Sequence, residues 1–285
     1  MKILEDRNMV IHDKDAAVRV LEDINYYRFV GYALQFNKNN DYGNKTSFEN
    51  VYKLYVFDKK LRHLILEILE SIEISVRTKI SYHLSSKYGS IALGPDIFKD
   101  SGFYTGSDDI YGESRRGLID EIKTEMRNNR KELFIKHHVK NYNSKFPIWV
   151  LIEIFSFGML SKTYANLKLD DQKEIARAGF VTNYQLLESW LQNLCYVRNI
   201  CAHYGRLYNK KMSITPKVHR RYSEYEIDLN GLFTSILAIK ELTMDNYEWC
   251  MFKVQLKELF DDYLDVINLN LIGFPENWFE IISSN

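Results

Sequence analysis

Apolar residues recur at spacings of three and four through two long stretches of this 285-residue chain. From Asp58 to Lys87 the stripe is Leu61, Leu64, Ile65, Ile68, Leu69, Ile72, Val76, Ile80 and Leu84. That period predicts a helix with one buried face. Glu67, Glu70, Glu73, Arg62 and Lys79 fall off the stripe and are expected in solvent. From Asn183 to His203 the stripe is Leu186, Leu187, Trp190, Leu191, Leu194 and Val197. These two helices are expected at the centre of an all-α body of roughly ten helices.

Shorter patterns fill in the rest. Asp13 is placed to cap a helix through Ala16, Ala17, Val20, Leu21 and Ile24. Tyr26–Phe36 reads as an aromatic-rich helix, and Asn37–Ser47 as a polar loop. Ser47 caps a short helix through Leu54 and Phe57. Tyr88–Gly117 carries six glycines and reads as a loop with short turns. Leu118–Tyr142 returns to a helical pattern rich in Lys and Arg. Pro147 suits the first turn of a helix through Phe155. Glu153 is the lone charge in that run and is read as a buried or half-buried partner for an Arg or Lys; the functional alternative is orienting Arg198 or His203. Gln172–Ala178, Leu229–Leu242 and Tyr247–Ile267 are further helices, and the tail L-I-G-F-P-E-N-W-F-E-I-I is expected to dock on the body.

Composition narrows the class. Hydrophobic residues are 46% and charged residues 27%, which is an ordinary folded protein. Lys plus Arg and Asp plus Glu are 38 each, so broad nucleic-acid coating is disfavoured, although a local basic surface is not. No run of about eighteen apolar residues occurs, and M-K-I-L-E-D-R-N lacks a signal-peptide core. The expectation is a cytoplasmic protein with no membrane partner. Cys195, Cys201 and Cys250 lack metal-ligand spacing and read as reduced, buried thiols. The pair His137–His138 points two ways on a helix. No metal site, cofactor or phosphate-cradle motif is expected.

The chemistry gathers where the second stripe ends, in N-L-C-Y-V-R-N-I-C-A-H-Y-G-R-L-Y-N (Asn193–Asn209). Arg198, Asn199 and His203 stand against an apolar background. Arginine can hold a phosphate and stabilise added negative charge, and histidine can move protons near neutral pH. Five residues on an ideal helix turn Arg198 and His203 about 140° apart, whereas Asn199 and His203 share a face. The Arg–His pair converges if the helix loosens near Ala202 or if two chains face one another. Gly205 is the expected helix stop. The bare spacing also fits Arg7–His12, Arg77–His83 and Arg130–His137, so surroundings must separate the matches.

The surroundings resemble a known family. P-I-W-V-L-I-E-I-F-S-F-G-M-L-S (Pro147–Ser161), Y-A-N-L (Tyr164–Leu167) and R-N-I-C-A-H-Y-G-R-L-Y-N (Arg198–Asn209) carry the likeness. So do I-N-Y-Y-R-F-V-G-Y (Ile24–Tyr32), F-D-K-K-L-R (Phe57–Arg62), I-E-I-S-V-R-T-K-I-S-Y-H (Ile72–His83) and G-F-P-E-N-W (Gly273–Trp278). Together they resemble the Abi family of bacterial abortive-infection proteins, the AbiD and AbiF group. That resemblance implies a HEPN-type helical fold, whose R-x4–6-H motif marks metal-independent ribonucleases. It implies phage defence and, for some members, a structured small noncoding RNA as partner. It also implies one Abi-like domain over 1–285, with a helical part to about 145 and the motif-bearing part from about 146. Tyr204 stands where a second His is frequent, and Tyr208 where Trp is.

Three functions are therefore weighed: an endoribonuclease, an RNA-binding module without turnover, and a helical scaffold. Arg198, Asn199 and His203 are the catalytic candidates. Arg206, Lys210 and Lys211 lead a basic run continuing through Lys217, His219, Arg220 and Arg221, and are the phosphate-binding candidates. Arg77 and His83 are candidates to extend that surface, with solvent-facing helix charges as the alternative. A single local His favours a homodimer that pairs the Arg198–His203 ends.

Overall fold

The computed structural model describes residues 1–37, 39, 41–43, 46–91, 93–108 and 114–284. Parts of the expected polar loop (38, 40, 44 and 45) and of the glycine-rich stretch (92 and 109–113) lie outside them.

The described residues form fourteen α-helical segments, several of only one or two turns. After α1 (Lys2–Glu5), α2 (Lys14–Asp23) starts at Asp13, whose side chain accepts the Ala16 N–H. Next comes α3 (Tyr26–Ala33), extended by a 3-10 turn, Leu34–Phe36. Ser47 then caps α4 (Phe48–Tyr88) by accepting the Asn50 N–H. This is one 41-residue helix, on the order of 60 Å long, so the two helices expected on either side of Asp58 are fused. The expected break does not occur because Asp58 lies inside the buried stripe, neutralised one turn on by Arg62. Arg62 is itself buried, not in solvent as its place off the stripe suggested. The stripe from Leu61 to Leu84 is otherwise buried, with Leu64 at its margin.

The glycine-rich stretch holds a 3-10 turn (Pro95–Ile97), α5 (Ser101–Thr105) and a two-residue antiparallel pairing of β1 (Ser107–Asp108) with β2 (Ser114–Arg115). The single helix expected over Leu118–Tyr142 is two, α6 (Leu118–Asn128) and α7 (Leu133–Asn141). No apolar residue falls between Met126 and Leu133, so a turn there exposes nothing that burial would protect. The helix after Pro147 is also short. It runs as α8 (Ile148–Leu151) and a 3-10 turn, then re-caps at Ser156 for α9 (Phe157–Asn166). Then α10 (Leu169–Glu174) passes into a π-helical turn, Ile175–Gly179.

Asn183 caps α11 (Tyr184–Ala202), its side chain accepting the Leu186 N–H. α11 packs on α4, α9 and α12 (Leu232–Leu242). α12 is apolar nearly all round and correspondingly enclosed, with Leu232 to Ile239 all buried. α13 (Asn246–Asp262) lies along α4, and α14 (Trp278–Ser283) docks the tail through Trp278, Ile281 and Ile282. Buried apolar residues from Leu4 to Ile282 join in one cluster. Of the thiols, Cys201 is buried and its pKa is pushed up to about 12 by that burial, whereas Cys250 is exposed, contrary to expectation.

Candidate active site at the end of helix α11

α11 stays regular to its last turn. The His203 N–H donates to the Asn199 carbonyl at 3.0 Å, an ordinary helical bond. The helix then closes with two bonds of a Schellman turn: Tyr204 N–H to Cys201 O at 3.1 Å and Gly205 N–H to Ile200 O at 2.7 Å. The left-handed residue is Tyr204, at φ 58°, not Gly205. Gly205 is needed for a different reason. A Cβ there would lie 2.8 Å from Ile200 Cγ2 and 3.0 Å from its carbonyl oxygen.

The regular turn decides one alternative left open by the spacing. The helix does not loosen near Ala202, so Arg198 and His203 leave it on different sides, and no hydrogen bond or ion pair joins them among the described residues. Arg198 is half-buried. Its Nη1 donates to Asn199 Oδ1 at 3.3 Å, and its Nη2 lies 3.7 Å from Glu73 Oε2 on α4. Glu73 also accepts from Arg77 at 3.1 Å. Asn199 thus contacts Arg198 with its side chain and His203 with its backbone. The His203 ring is exposed, with no hydrogen-bond partner among the described residues.

A second group of residues fixes the segment after His203. Arg28 Nη1 on α3 donates to the Tyr204 carbonyl at 2.6 Å. Arg206 lays its guanidinium over the Tyr32 ring, 5.8 Å from the centroid, and its Nη1 comes close to Gly31. Beneath it, Asp58 Oδ1 accepts the N–H groups of Leu207 at 3.1 Å and Tyr208 at 2.7 Å. Its other oxygen accepts the Tyr32 hydroxyl at 2.6 Å and pairs with Arg62. Burial pushes the Asp58 carboxyl upward, opposed by Arg62, Tyr32 and the two backbone donors. Asp58, Arg62, Tyr32 and Arg28 were not read as site residues. The signals for them were the family-like strings Ile24–Tyr32 and Phe57–Arg62 and, for Asp58 and Arg62, an acidic and a basic residue four apart.

The remaining candidates are distributed as follows. Lys210 sits beside the Tyr196 hydroxyl of α11, and Lys211 pairs with Asp228 at 2.5 Å. Further along the basic run, Arg221 is taken up by Glu241. Arg77 also donates to the Phe155 carbonyl at 3.0 Å and lies 3.9 Å from Glu153. Glu153 is itself exposed and reaches neither Arg198 nor His203. His83 Nε2 lies 2.7 Å from Asp171 Oδ1, in a nearly buried knot where Lys87 and Tyr88 bind the same carboxylate. Arg77 and His83 therefore have internal partners. Of the other candidates, Arg198 and Asn199 touch through their side chains, His203 stands apart from Arg198, Arg206 rests on Tyr32, and Lys210 stands beside Tyr196. His138 Nδ1 faces the Phe134 carbonyl, and His137 faces Asn141. Among the described residues, no three His, Cys, Asp or Glu side chains gather as metal ligands.

A family model described as Abi-like protein matches residues 19–209, well over half of the chain and including Arg198, Asn199, His203 and Arg206. The chain belongs to the Abi-like protein family. Membership supports an abortive-infection, phage-defence role. No curated protein and no solved structure matches the chain. Among the described residues, no helix is long and apolar enough to cross a membrane.

Proposed function

We propose that this protein is a HEPN-type, metal-independent endoribonuclease acting in phage defence. The observation that supports it best is the arrangement at one helix end. A half-buried arginine is oriented by Asn199 and Glu73, and an exposed histidine stands one turn on, followed by Arg206 and Lys210. In the reaction, a histidine accepts the proton of a ribose 2′-hydroxyl. The 2′-oxygen attacks the adjacent phosphorus and the P–O5′ bond breaks. A second acid protonates the leaving 5′-oxygen, giving a 2′,3′-cyclic phosphate and a 5′-hydroxyl. Arg198 holds the non-bridging oxygens, where charge grows. Arg206 and Lys210 hold flanking phosphates.

One His203 cannot serve as base and acid together, and it points away from Arg198. Two chains meeting at their α11 ends would supply two histidines and set the Arg198 of one against the His203 of the other. A homodimer is therefore part of the proposal. Sedimentation of the active species tests it, since a monomer that cleaves RNA would exclude a composite site. The chemistry is tested by the product ends. A 2′,3′-cyclic phosphate that forms in EDTA supports the mechanism, and a 3′-hydroxyl product refutes it.

A second reading is a module that holds a structured small noncoding RNA without cutting it. The basic residues beyond the helix end, Arg206 and Lys210, favour this reading, because holding phosphates needs their charge and no proton transfer. Sequencing RNA that co-purifies with the protein separates a tightly held partner from a substrate.

A further inference from the structure

Tyr204 combines three features that its place in the fold does not explain. It occupies the left-handed position of the α11 cap, φ 58°, where glycine is the usual choice. For a side-chain-bearing residue that conformation is unfavourable. Its ring is 67% exposed and makes no ring contact among the described residues, so packing does not offset the strain. Its peptide is nevertheless held firmly. The N–H is bonded to Cys201, the carbonyl takes the Arg28 guanidinium, and the next N–H is bonded to Ile200. Strain kept without a packing return is a mark of functional positions. Its sequence neighbours are His203 and, beyond Gly205, Arg206.

We infer that Tyr204 is a stacking platform for one unpaired base of single-stranded RNA, seated beside the His203 imidazole. The inference rests on the RNA reading above and adds how the strand is placed. An aromatic face takes any base without reading its edge. Arg28 ties this platform to α3, where the neighbouring Tyr27 is 83% exposed with its ring edge-on to Tyr26. A duplex keeps its bases stacked inside the helix and offers no face to Tyr204. The substrate or bound partner is therefore single-stranded where it meets His203.

The test uses a short single-stranded 2′-O-methyl oligoribonucleotide carrying 2-aminopurine at alternate positions. It lacks the attacking hydroxyl, so binding is read without cleavage. Wild type and Tyr204→Phe are expected to bind it and quench its fluorescence. Tyr204→Gly relieves the backbone strain, so its Tm should equal or exceed that of wild type. It should nevertheless bind on the order of ten-fold more weakly and lose the quenching. Tyr204→Leu, which keeps bulk but has no π-face, should match Tyr204→Gly. If Tyr204→Gly or Tyr204→Leu binds and quenches like wild type, the platform is refuted while the RNA reading stands. If wild type itself does not bind, the RNA reading fails and takes this assignment with it.

Discussion

The Asp58 carboxylate accepts the backbone N–H of Tyr208, 150 residues further along the chain, at 2.7 Å. With the Leu207 N–H, the Tyr32 hydroxyl and Arg62 on the same carboxylate, it ties α3 and α4 to the turn that leaves the candidate site. Asp58 is 0% and Arg62 3% exposed. A buried pair of this kind is a weak source of net stability, but removing one partner leaves an uncompensated buried charge, at about 3–5 kcal/mol. Asp58→Ala should therefore unfold at much lower denaturant than wild type. Arg62→Met with Asp58→Leu should recover only part of the loss, because the Leu207 and Tyr208 N–H groups and the Tyr32 hydroxyl lose their acceptor. A double-mutant cycle by urea denaturation measures both.

The Asp171 carboxylate gives a pH signature. Burial alone would raise it, but Lys87, His83 and Tyr88 outweigh burial and hold it below the usual carboxylate range. A depressed folded-state value means that stability is fully present above the unfolded value, about 3.9, and is lost as pH falls through the folded one. Asp171→Asn should thus be less stable than wild type by a constant amount near neutrality. The gap should narrow below about pH 4. Chemical denaturation across pH reads it, and a gap that widens in acid would reverse the assignment.

Much of this fold was legible in the pattern of the chain. Asp13 and Ser47 cap the helices they were expected to cap, the second long pattern starts at Asn183 as read, and both long stripes are buried. The errors over charged residues share a physical cause. A charge was read as solvent-facing or as a boundary when its partner was a turn away, as with Asp58 and Arg62, or far along the chain, as with His83 and Asp171, 88 residues apart. Periodicity records which face is apolar, but not which buried charges neutralise each other. At the candidate site, Arg198, Asn199 and His203 were read from residue type and spacing. The ion pair of Arg198 with Glu73 was not, because it depends on how α11 crosses α4.

Gly205 should not tolerate a methyl group. Its Cβ would press on Ile200 from 2.8 Å, and overpacking of this kind typically costs about 1–3 kcal/mol. Gly205→Ala should lower the Tm and loosen the segment that carries Tyr204 and Arg206. Thermal unfolding followed by circular dichroism at the helix band measures it. An unchanged Tm would mean that the turn can open without cost.

Lys210 should act through charge alone. Lys210→Ala removes one phosphate contact, so the slope of log binding constant against log salt should fall by about 0.7 for a single strand. Affinity at low salt should drop for every RNA sequence alike. Titrations at several salt concentrations give the slope. A loss confined to one sequence would assign Lys210 to base contact instead.

Gel-resolved cleavage of a labelled single-stranded RNA, by equal amounts of wild type, Arg198→Ala, His203→Ala and Cys201→Ala, tests the nuclease assignment most directly. Each reaction is run with and without EDTA. Arg198 and His203 lie outside the buried stripe of α11, so both variants should stay folded. The expected result is cleavage by wild type and Cys201→Ala in either condition, and none by Arg198→Ala or His203→Ala. Cleavage by those two variants at the wild-type rate, or a reaction that only EDTA abolishes, would contradict the assignment of this chemistry to Arg198 and His203.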